Sequence, residues 1–196
     1  MEARDRAKNT QRRPPDKRTR IVDTAARLVH EHGFANTTLA DIARESDVPL
    51  GNIYYYFKSK EAIGDALVEK RAGAHALMFD AWEAELEPRA RIEAFIQATI
   101  ESRDVVARSG CPIGTLCGEL HKDGGPLAER AATLFGGLLT WLEAQFKSMG
   151  KGGESRELAF QLLSAVQGAS LLANTFHDTR ALTRECNRLK DWVRSL

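Results

Sequence analysis

The sequence lacks the features that mark several large protein classes. It has only three cysteines, an odd number without a Cys-x-x-Cys pair, which argues against both a disulfide framework and a zinc site. Its five histidines show no metal-ligand spacing, and no glycine-rich cofactor loop is present. No apolar run approaches the roughly 18 residues of a membrane span, and the basic N-terminus is not followed by the apolar core of a secretory signal. We therefore expect a cytoplasmic protein without a membrane segment, cofactor or bound metal.

Charge is distributed unevenly along the chain although the net charge is only +1. Residues 1–60 hold 12 Lys/Arg against 8 Asp/Glu, whereas residues 61–196 hold 16 against 19. Most of the excess lies in residues 1–20, with eight basic and three acidic side chains. Residues 1–15 are therefore expected to form a basic disordered arm. Such an arm can follow DNA phosphates or reach a minor groove, or it can be a solvated tail.

Prolines and glycines divide a chain that otherwise has helical periodicity throughout. Apolar residues recur at spacings of three and four, and no strand-like alternation interrupts them. The fold is therefore expected to be all-α. Helices are predicted over residues 16–32, 38–46, 49–57, 60–86, 88–109, 112–121, 126–147, 154–176 and 179–193.

Residues 33–61 contain two short helices separated by a tight turn. Thr38, followed three residues later by Asp41, predicts a capping box at the start of the first helix. Asp47 suits the end of that helix because Asp tolerates a left-handed backbone. Pro49 is placed at the first position of the second helix, where its fixed φ and missing N–H are favourable. This layout is typical of a helix-turn-helix.

The second short helix carries side chains that suit a nucleic acid. Asn52 can bond adenine edges in the major groove, and the hydroxyls of three consecutive tyrosines can bond phosphate oxygens. Lys60 adds positive charge just beyond the helix. A helix that packs all its aromatic rings into a core is the alternative. Successive helical residues are about 100° apart, so three tyrosines in a row cannot all face one core.

The stretch resembles the DNA-binding domain of the TetR family of bacterial transcriptional regulators, through Thr38, Asp41-Ile42-Ala43, the Val48 turn, Gly51-Asn52-Ile53-Tyr54-Tyr55-Tyr56-Phe57 and Lys58-Ser59-Lys60-Glu61. The resemblance implies a helix-turn-helix domain over residues 16–62 and a larger helical ligand-sensing and dimerisation domain over residues 63–196. It places Thr38, Tyr54, Tyr56 and Lys60 against the DNA backbone, and Leu50, Gly51, Asn52 and Tyr55 in the groove. Two departures are Asp47, where Gly is commonest, and Pro49-Leu50, where Leu50 can contact a thymine methyl.

Two long helices late in the chain have apolar positions at heptad-like spacing. Helix 126–147 also carries Gly136-Gly137, and helix 154–176 carries Gly168-Ala169-Ser170, small residues that let helices approach closely. An ordinary pair of helices within one chain is one interpretation. A four-helix bundle across a two-fold axis is the other. The resemblance implies the second, because TetR-like proteins form homodimers that match palindromic DNA sites.

Ser109-Gly110-Cys111-Pro112-Ile113-Gly114-Thr115-Leu116-Cys117 suggests a signal site. Pro112 suits the first position of a helix, which makes Cys111 the N-cap residue. A thiol there lies at the positive end of the helix dipole, which favours the reactive thiolate. A small buried apolar residue is the alternative role for Cys111. The motif resembles a segment of TetR-family repressors that respond to electrophiles. Cys117 lies too far along the helix for an unforced disulfide with Cys111.

A non-covalent ligand is the competing signal. Trp82, Phe95 and Thr99 are residue types that line apolar pockets, although such a stripe also suits a core. The sequence therefore predicts a dimeric repressor that binds double-stranded DNA at a palindromic operator and is released by a small-molecule inducer or a thiol-reactive compound. A TetR-like activator with a non-covalent ligand remains an alternative. A helical thiol-dependent enzyme acting through Cys111 is another alternative, although the sequence shows neither a resolving cysteine nor an evident base for it.

Overall fold

A computed structural model describes residues 16–85 and 87–196 of the chain, and every element in these ranges is a helix. This confirms the all-α prediction. The predicted basic arm, residues 1–15, lies outside the described residues. The ten helices of the described ranges are α1 (Lys17–His32), α2 (Leu39–Ser46), α3 (Leu50–Tyr56), α4 (Lys60–Glu85), α5 (Pro88–Glu101), α6 (Arg103–Ser109), α7 (Pro112–Asp123), α8 (Gly125–Ser148), α9 (Ser155–Phe176) and α10 (Thr179–Ser195).

The N-terminal unit, α1–α3, is held by short-range caps around a small apolar core. Thr38 accepts a hydrogen bond from the Asp41 amide at 3.1 Å, and the Asp41 carboxylate accepts one from the Thr38 amide at 3.1 Å. Such a cap is worth about 1 kcal/mol. Asp47 ends α2 in the left-handed region at φ 52°. Ile21, Ile42 and Ile53 are buried between the helices.

The start of α3 differs by one residue from the prediction. Pro49 is the N-cap residue, with φ −52° and ψ 140°, and Leu50 is the first helical residue. Because proline at the N-cap offers no side-chain oxygen, no side chain caps this helix. The Pro49 carbonyl instead accepts from the amides of Asn52 and Ile53.

The prediction of a single helix over residues 88–109 is wrong, because the helix is interrupted at Ser102. This residue ends α5 and precedes α6, with φ −86° and ψ 3°. Its hydroxyl donates to the Ala98 carbonyl at 2.9 Å, and its amide donates to the same oxygen at 3.1 Å. A serine that bonds the backbone in this way competes with regular helical pairing.

The C-terminal unit, α4–α10, is organised around α8. This helix packs against α4, α5, α7 and α9, and its buried side chains include Leu134, Leu138, Leu142 and Phe146. α10 closes the unit against α5 and α9, burying Leu182, Cys186 and Val193. Burial raises the pKa of Cys186 to about 11, so its thiol stays protonated and serves as a packing residue. None of the helices in the described ranges is both long and apolar enough to span a membrane.

Candidate DNA-binding surface and signal site

α3 is anchored on one side and projects its tyrosines from the other. Ile53 and Phe57 are buried, whereas Tyr55 is 74% exposed, Tyr54 49% and Tyr56 38%. The rings of Tyr55 and Tyr56 meet edge to face with centroids 5.1 Å apart. Successive helical residues must diverge around the axis, and α3 therefore presents hydroxyls to solvent on a fixed support.

Three further residues predicted to face the DNA groove lie on the same surface. Gly51 is exposed, and a Cβ added to it would meet no described heavy atom within 4 Å. Asn52 is half-buried beside it. Leu50 is 40% exposed. As the first residue of α3 it has no preceding turn to cover it, so its side chain is available at the surface.

Thr38 and Lys60, predicted to contact the DNA backbone, both have partners within the protein. The Thr38 hydroxyl donates to Asp41 Oδ2 at 2.5 Å and remains at an exposed position. Lys60 Nζ donates to the Ala35 carbonyl at 2.9 Å and lies 4.8 Å from the centre of the Phe34 ring. Lys60 thus fixes the loop before α2, and its phosphate contact stays a prediction.

Gly110, which ends α6, and Glu119 of α7 connect the two units through two hydrogen bonds. His30 Nε2 lies 2.8 Å from the Gly110 carbonyl, which can only accept, so this nitrogen carries the proton. Burial lowers the pKa of His30, which favours the neutral ring, although the bond to Gly110 opposes this shift. Glu119 Oε2 accepts from the Ala35 amide at 3.2 Å. The sequence predicted neither contact, because the partners lie 80 and 84 residues apart in the chain.

Cys111 occupies the N-cap position of α7, as the sequence predicts. Its carbonyl accepts from the amide and the hydroxyl of Thr115, both at 2.9 Å. Its side chain is half-buried, and the guanidinium of Arg71 on α4 is near enough for their charges to interact. Burial lowers the pKa of Arg71, and the charge of Cys111 raises it. The Arg71 guanidinium is therefore a cationic neighbour of Cys111.

Cys117 differs chemically from Cys111. Its Sγ donates to the Ala131 carbonyl at 3.2 Å. Burial, assisted by the charge of Cys111, raises the pKa of Cys117 to about 11. Because the thiolate is the nucleophile, Cys117 is a poor nucleophile at neutral pH.

Both thiols line one groove, which the other predicted sensor residues do not reach. We call it the sensor groove: a space of about 860 Å³ between α7, α8 and α9. Trp82 instead packs against Phe79 and Trp141, with ring centroids 6.1 and 5.7 Å away. Phe95 is buried in the core, and the Thr99 hydroxyl points to the Phe95 carbonyl at 3.5 Å. The structure therefore does not bring Trp82, Phe95 and Thr99 together with Cys111.

One face of α8 and α9 carries large apolar side chains that the chain itself leaves uncovered. Phe160, Leu171, Leu172 and Phe176 of α9 are more than half exposed. Helical glycines of both helices have open space where a Cβ would stand, namely Gly136, Gly137 and Gly168. We call this surface the α8–α9 face. In the described ranges, no group of three or more His, Cys, Asp or Glu could hold a metal ion.

Comparison with protein-family models gives two matches. The model of bacterial regulatory proteins of the tetR family matches residues 21–67. The model of the C-terminal domain of LmrA/YxaF-like transcriptional regulators matches residues 88–186. The first match contains α2 and α3, and the second contains the sensor groove and most of the α8–α9 face.

Individual relatives agree with both matches. The chain is 25% identical to the HTH-type transcriptional regulator LmrA of Bacillus subtilis over 183 residues, covering 91% of this chain and 97% of LmrA. It is 31% identical to the uncharacterised HTH-type transcriptional regulator Rv0196 of Mycobacterium tuberculosis over 173 residues, 84% of this chain and 88% of that protein.

Escherichia coli NemR, named as an HTH-type transcriptional repressor, is 31% identical over 105 residues, covering 53% of this chain and 49% of NemR. The crystal structure of its reduced form superposes with a TM-score of 0.79 over 90% of this chain and 96% of that chain, at 25% identity. The chain thus belongs to the TetR family of bacterial transcriptional regulators, with α2 and α3 as its DNA-binding helix-turn-helix.

Proposed function

We propose that this regulator is a dimeric repressor that binds a palindromic operator and is released by a signal received in its C-terminal unit. The observation that carries the proposal is the surface of α3. Three tyrosines and Leu50 project into solvent from a helix anchored by buried Ile53 and Phe57. An exposed aromatic surface on a short, fixed helix lacks a packing role within the chain and suits an extended polar partner.

Each residue of this surface has a distinct expected contact with DNA. Asn52 offers both a donor and an acceptor to an adenine edge, and Leu50 offers an apolar contact to a thymine methyl. Gly51 leaves room for the backbone to approach the bases. The hydroxyls of Tyr54 and Tyr56 bond phosphate oxygens, which fix the register of the helix without reading sequence, and Tyr55 lies in the groove.

The α8–α9 face supports dimerisation through helices 126–147 and 154–176. Its four exposed apolar side chains on α9 would lose contact with water in a two-fold bundle, at about 25 cal/mol for each Å² buried. Each helical glycine of this face costs about 1 kcal/mol relative to alanine. Within the described chain, a Cβ at these positions would contact no other residue. A partner helix that approaches closely would explain why glycine stands there.

Cys111 supports a thiol-reactive signal. It is accessible in the sensor groove, it stands at the N-cap of a helix, and the Arg71 guanidinium is a cationic neighbour. Reactive cysteines are found in partly exposed, electropositive surroundings of this kind. Modification adds volume in the sensor groove, directly beside the Gly110 carbonyl that His30 binds. Small-molecule occupancy of the same groove would act at the same place.

Our first prediction concerns DNA recognition. Footprinting on DNA upstream of the gene should show a palindrome whose half-site centres lie about one helical turn, or a multiple, apart. Tyr54→Phe should weaken operator binding of the dimer about 30-fold, because each of the two half-sites loses one phosphate hydrogen bond worth about 1 kcal/mol. Ser195→Ala, which removes an exposed hydroxyl at the C-terminus, should have no effect. Absence of sequence-specific protection would refute the proposed function.

The second prediction concerns assembly. The wild-type protein should have twice the 21.7 kDa chain mass in light scattering. Leu172→Glu should shift it towards the monomer, because a charge would be buried in the bundle. Leu77→Glu is the matched control, since Leu77 is 73% exposed on α4 and lies outside the α8–α9 face. A dimer that Leu172→Glu leaves unchanged would contradict this interface.

The third prediction concerns the covalent signal. Treatment with iodoacetamide should lower the operator affinity of the wild-type protein and of Cys117→Ser, measured by fluorescence anisotropy. Cys111→Ser should keep its affinity, because the thiol with the cationic neighbour is absent. Mass spectrometry should find the adduct on Cys111 before Cys117. If treated Cys111→Ser releases the operator as the wild type does, the covalent signal at Cys111 is refuted.

A further inference from the structure

The turn between α2 and α3 directly precedes the residues that are expected to face the DNA groove. Leu50, Gly51 and Asn52 form the first turn of α3. Two features weaken the turn before them. Asp47 has φ 52°, in the left-handed region that disfavours residues with a Cβ atom, and no side chain caps the start of α3. A small change in the turn would therefore move all three groove-facing residues together.

Arg20, near the start of α1, reaches across to the end of α2. Its Nη2 donates to the Ser46 carbonyl and, at 3.1 Å, to the Asp47 carbonyl. The last carbonyls of a helix have no partner within the helix. A guanidinium suits this place because it is always charged and presents several N–H groups, and because a cation is favourable at a helix C-terminus. Arg20 thus holds two carbonyl groups of the turn from a different helix.

The Asp47 carboxylate adds little to this contact. Its Oδ2 lies 3.5 Å from Arg20 Nη2, and the Asp47 side chain is fully exposed, whereas that of Arg20 is 36% exposed. Exposed ion pairs contribute little to stability, because water screens them and two side chains must be held in one geometry. The two bonds to main-chain carbonyls are therefore the contacts that connect Arg20 to the turn.

Buried neighbours give this contact a fixed base on both sides. Ile21, next to Arg20 in the chain, and Val48, the residue after Asp47, are both buried. Ile53 is buried farther along α3, but residues 49–51 are exposed and residue 52 is half-buried. The start of α3 is therefore held through the turn and not by side chains of its own.

We propose that Arg20 is a positioning residue for DNA recognition: through the Ser46 and Asp47 carbonyls it sets the direction of α3, without bonding DNA itself. The proposal rests on the operator recognition proposed above, and it involves neither the dimer interface nor the signal site. A direct bond from the Arg20 guanidinium to a DNA phosphate is the competing role.

Amide hydrogen exchange of the full-length protein, measured without DNA, tests the contact. Arg20→Met keeps an unbranched apolar side chain but has no donor. In this variant the amides of Asn52 and Ile53, which donate to the Pro49 carbonyl in the wild type, should exchange about tenfold faster, because the start of α3 opens more often. Arg20→Lys should restore both rates to within about threefold of the wild type, because an ammonium group also donates to carbonyls.

Arg27→Met is the matched control for this measurement. Arg27 lies on the same helix and also connects α1 to α2, but it bonds the side chains of Glu31 and Glu45. Its loss removes a cation of the same kind and leaves the turn untouched. The exchange rates at the start of α3 and the operator affinity should therefore both stay within about twofold of the wild type.

Operator affinity tests the consequence for DNA recognition. On the operator found by footprinting, Arg20→Met should bind about tenfold more weakly than the wild type, or roughly threefold for each half-site. Affinity for unrelated DNA should stay within about twofold, and the salt dependence should be unchanged. A phosphate contact would instead weaken binding to both DNAs and lower the slope of log affinity against log salt concentration by about 0.9 for each protomer. That result would overturn the proposal.

Circular dichroism establishes that each variant is folded. Unchanged exchange in folded Arg20→Met, or faster exchange with unchanged operator affinity, would overturn the proposal. If Arg20→Met does not fold, NMR of the arginine side chains of the wild type decides: hindered rotation of the Arg20 Nη2 group is expected, and free rotation would overturn the contact. The exchange and NMR measurements contain no DNA, so a failed operator footprint refutes the repressor, whereas these two measurements decide on the contact of Arg20 with the turn.

Discussion

We infer that communication between the two units depends on the hydrogen bond that the Ala35 amide donates to the Glu119 carboxylate over 3.2 Å. It holds the loop after α1 against α7, and that loop leads directly to Thr38 and the start of α2. Gly33 makes the approach possible, because its φ is +88° and a Cβ there would lie 2.9 Å from Glu119 Oε1. The bond from His30 to Gly110 fixes the other end of the same interface.

The free energies of these two hydrogen bonds are of the size expected for coupling between allosteric sites. Hydrogen bonds within proteins are worth about 0.5–1.5 kcal/mol each, so losing two would cost about 1–3 kcal/mol. Coupling free energies between allosteric sites are typically about 1–3 kcal/mol. Loss of these two hydrogen bonds, from His30 to Gly110 and from Ala35 to Glu119, would therefore be enough for a change in the sensor groove to alter DNA affinity. α4, which runs continuously from Lys60 to Glu85, gives the units a second mechanical connection.

The sequence predicts what depends on neighbouring residues and misses what depends on distant ones. The capping box at Thr38, the exposed tyrosines of α3 and Cys111 at the N-cap follow from local rules, and the structure contains all three. The sequence did not predict the interruption at Ser102, because a single serine rarely interrupts a helix. Periodicity identified the apolar residues Trp82 and Phe95 but not their neighbours, and the structure places them away from the groove. Glu119 and Ala35 are 84 residues apart, a pairing that no local pattern contains.

The most direct test of this account is the operator affinity of Glu119→Ala before and after modification of Cys111 with iodoacetamide. We predict that modification weakens operator binding of the wild type about tenfold, which corresponds to about 1.4 kcal/mol of coupling. In Glu119→Ala the loss should fall to about threefold, because only the bond from His30 to Gly110 remains, while mass spectrometry finds the same adduct on Cys111. The same tenfold loss in both proteins would contradict the role of the Glu119–Ala35 bond.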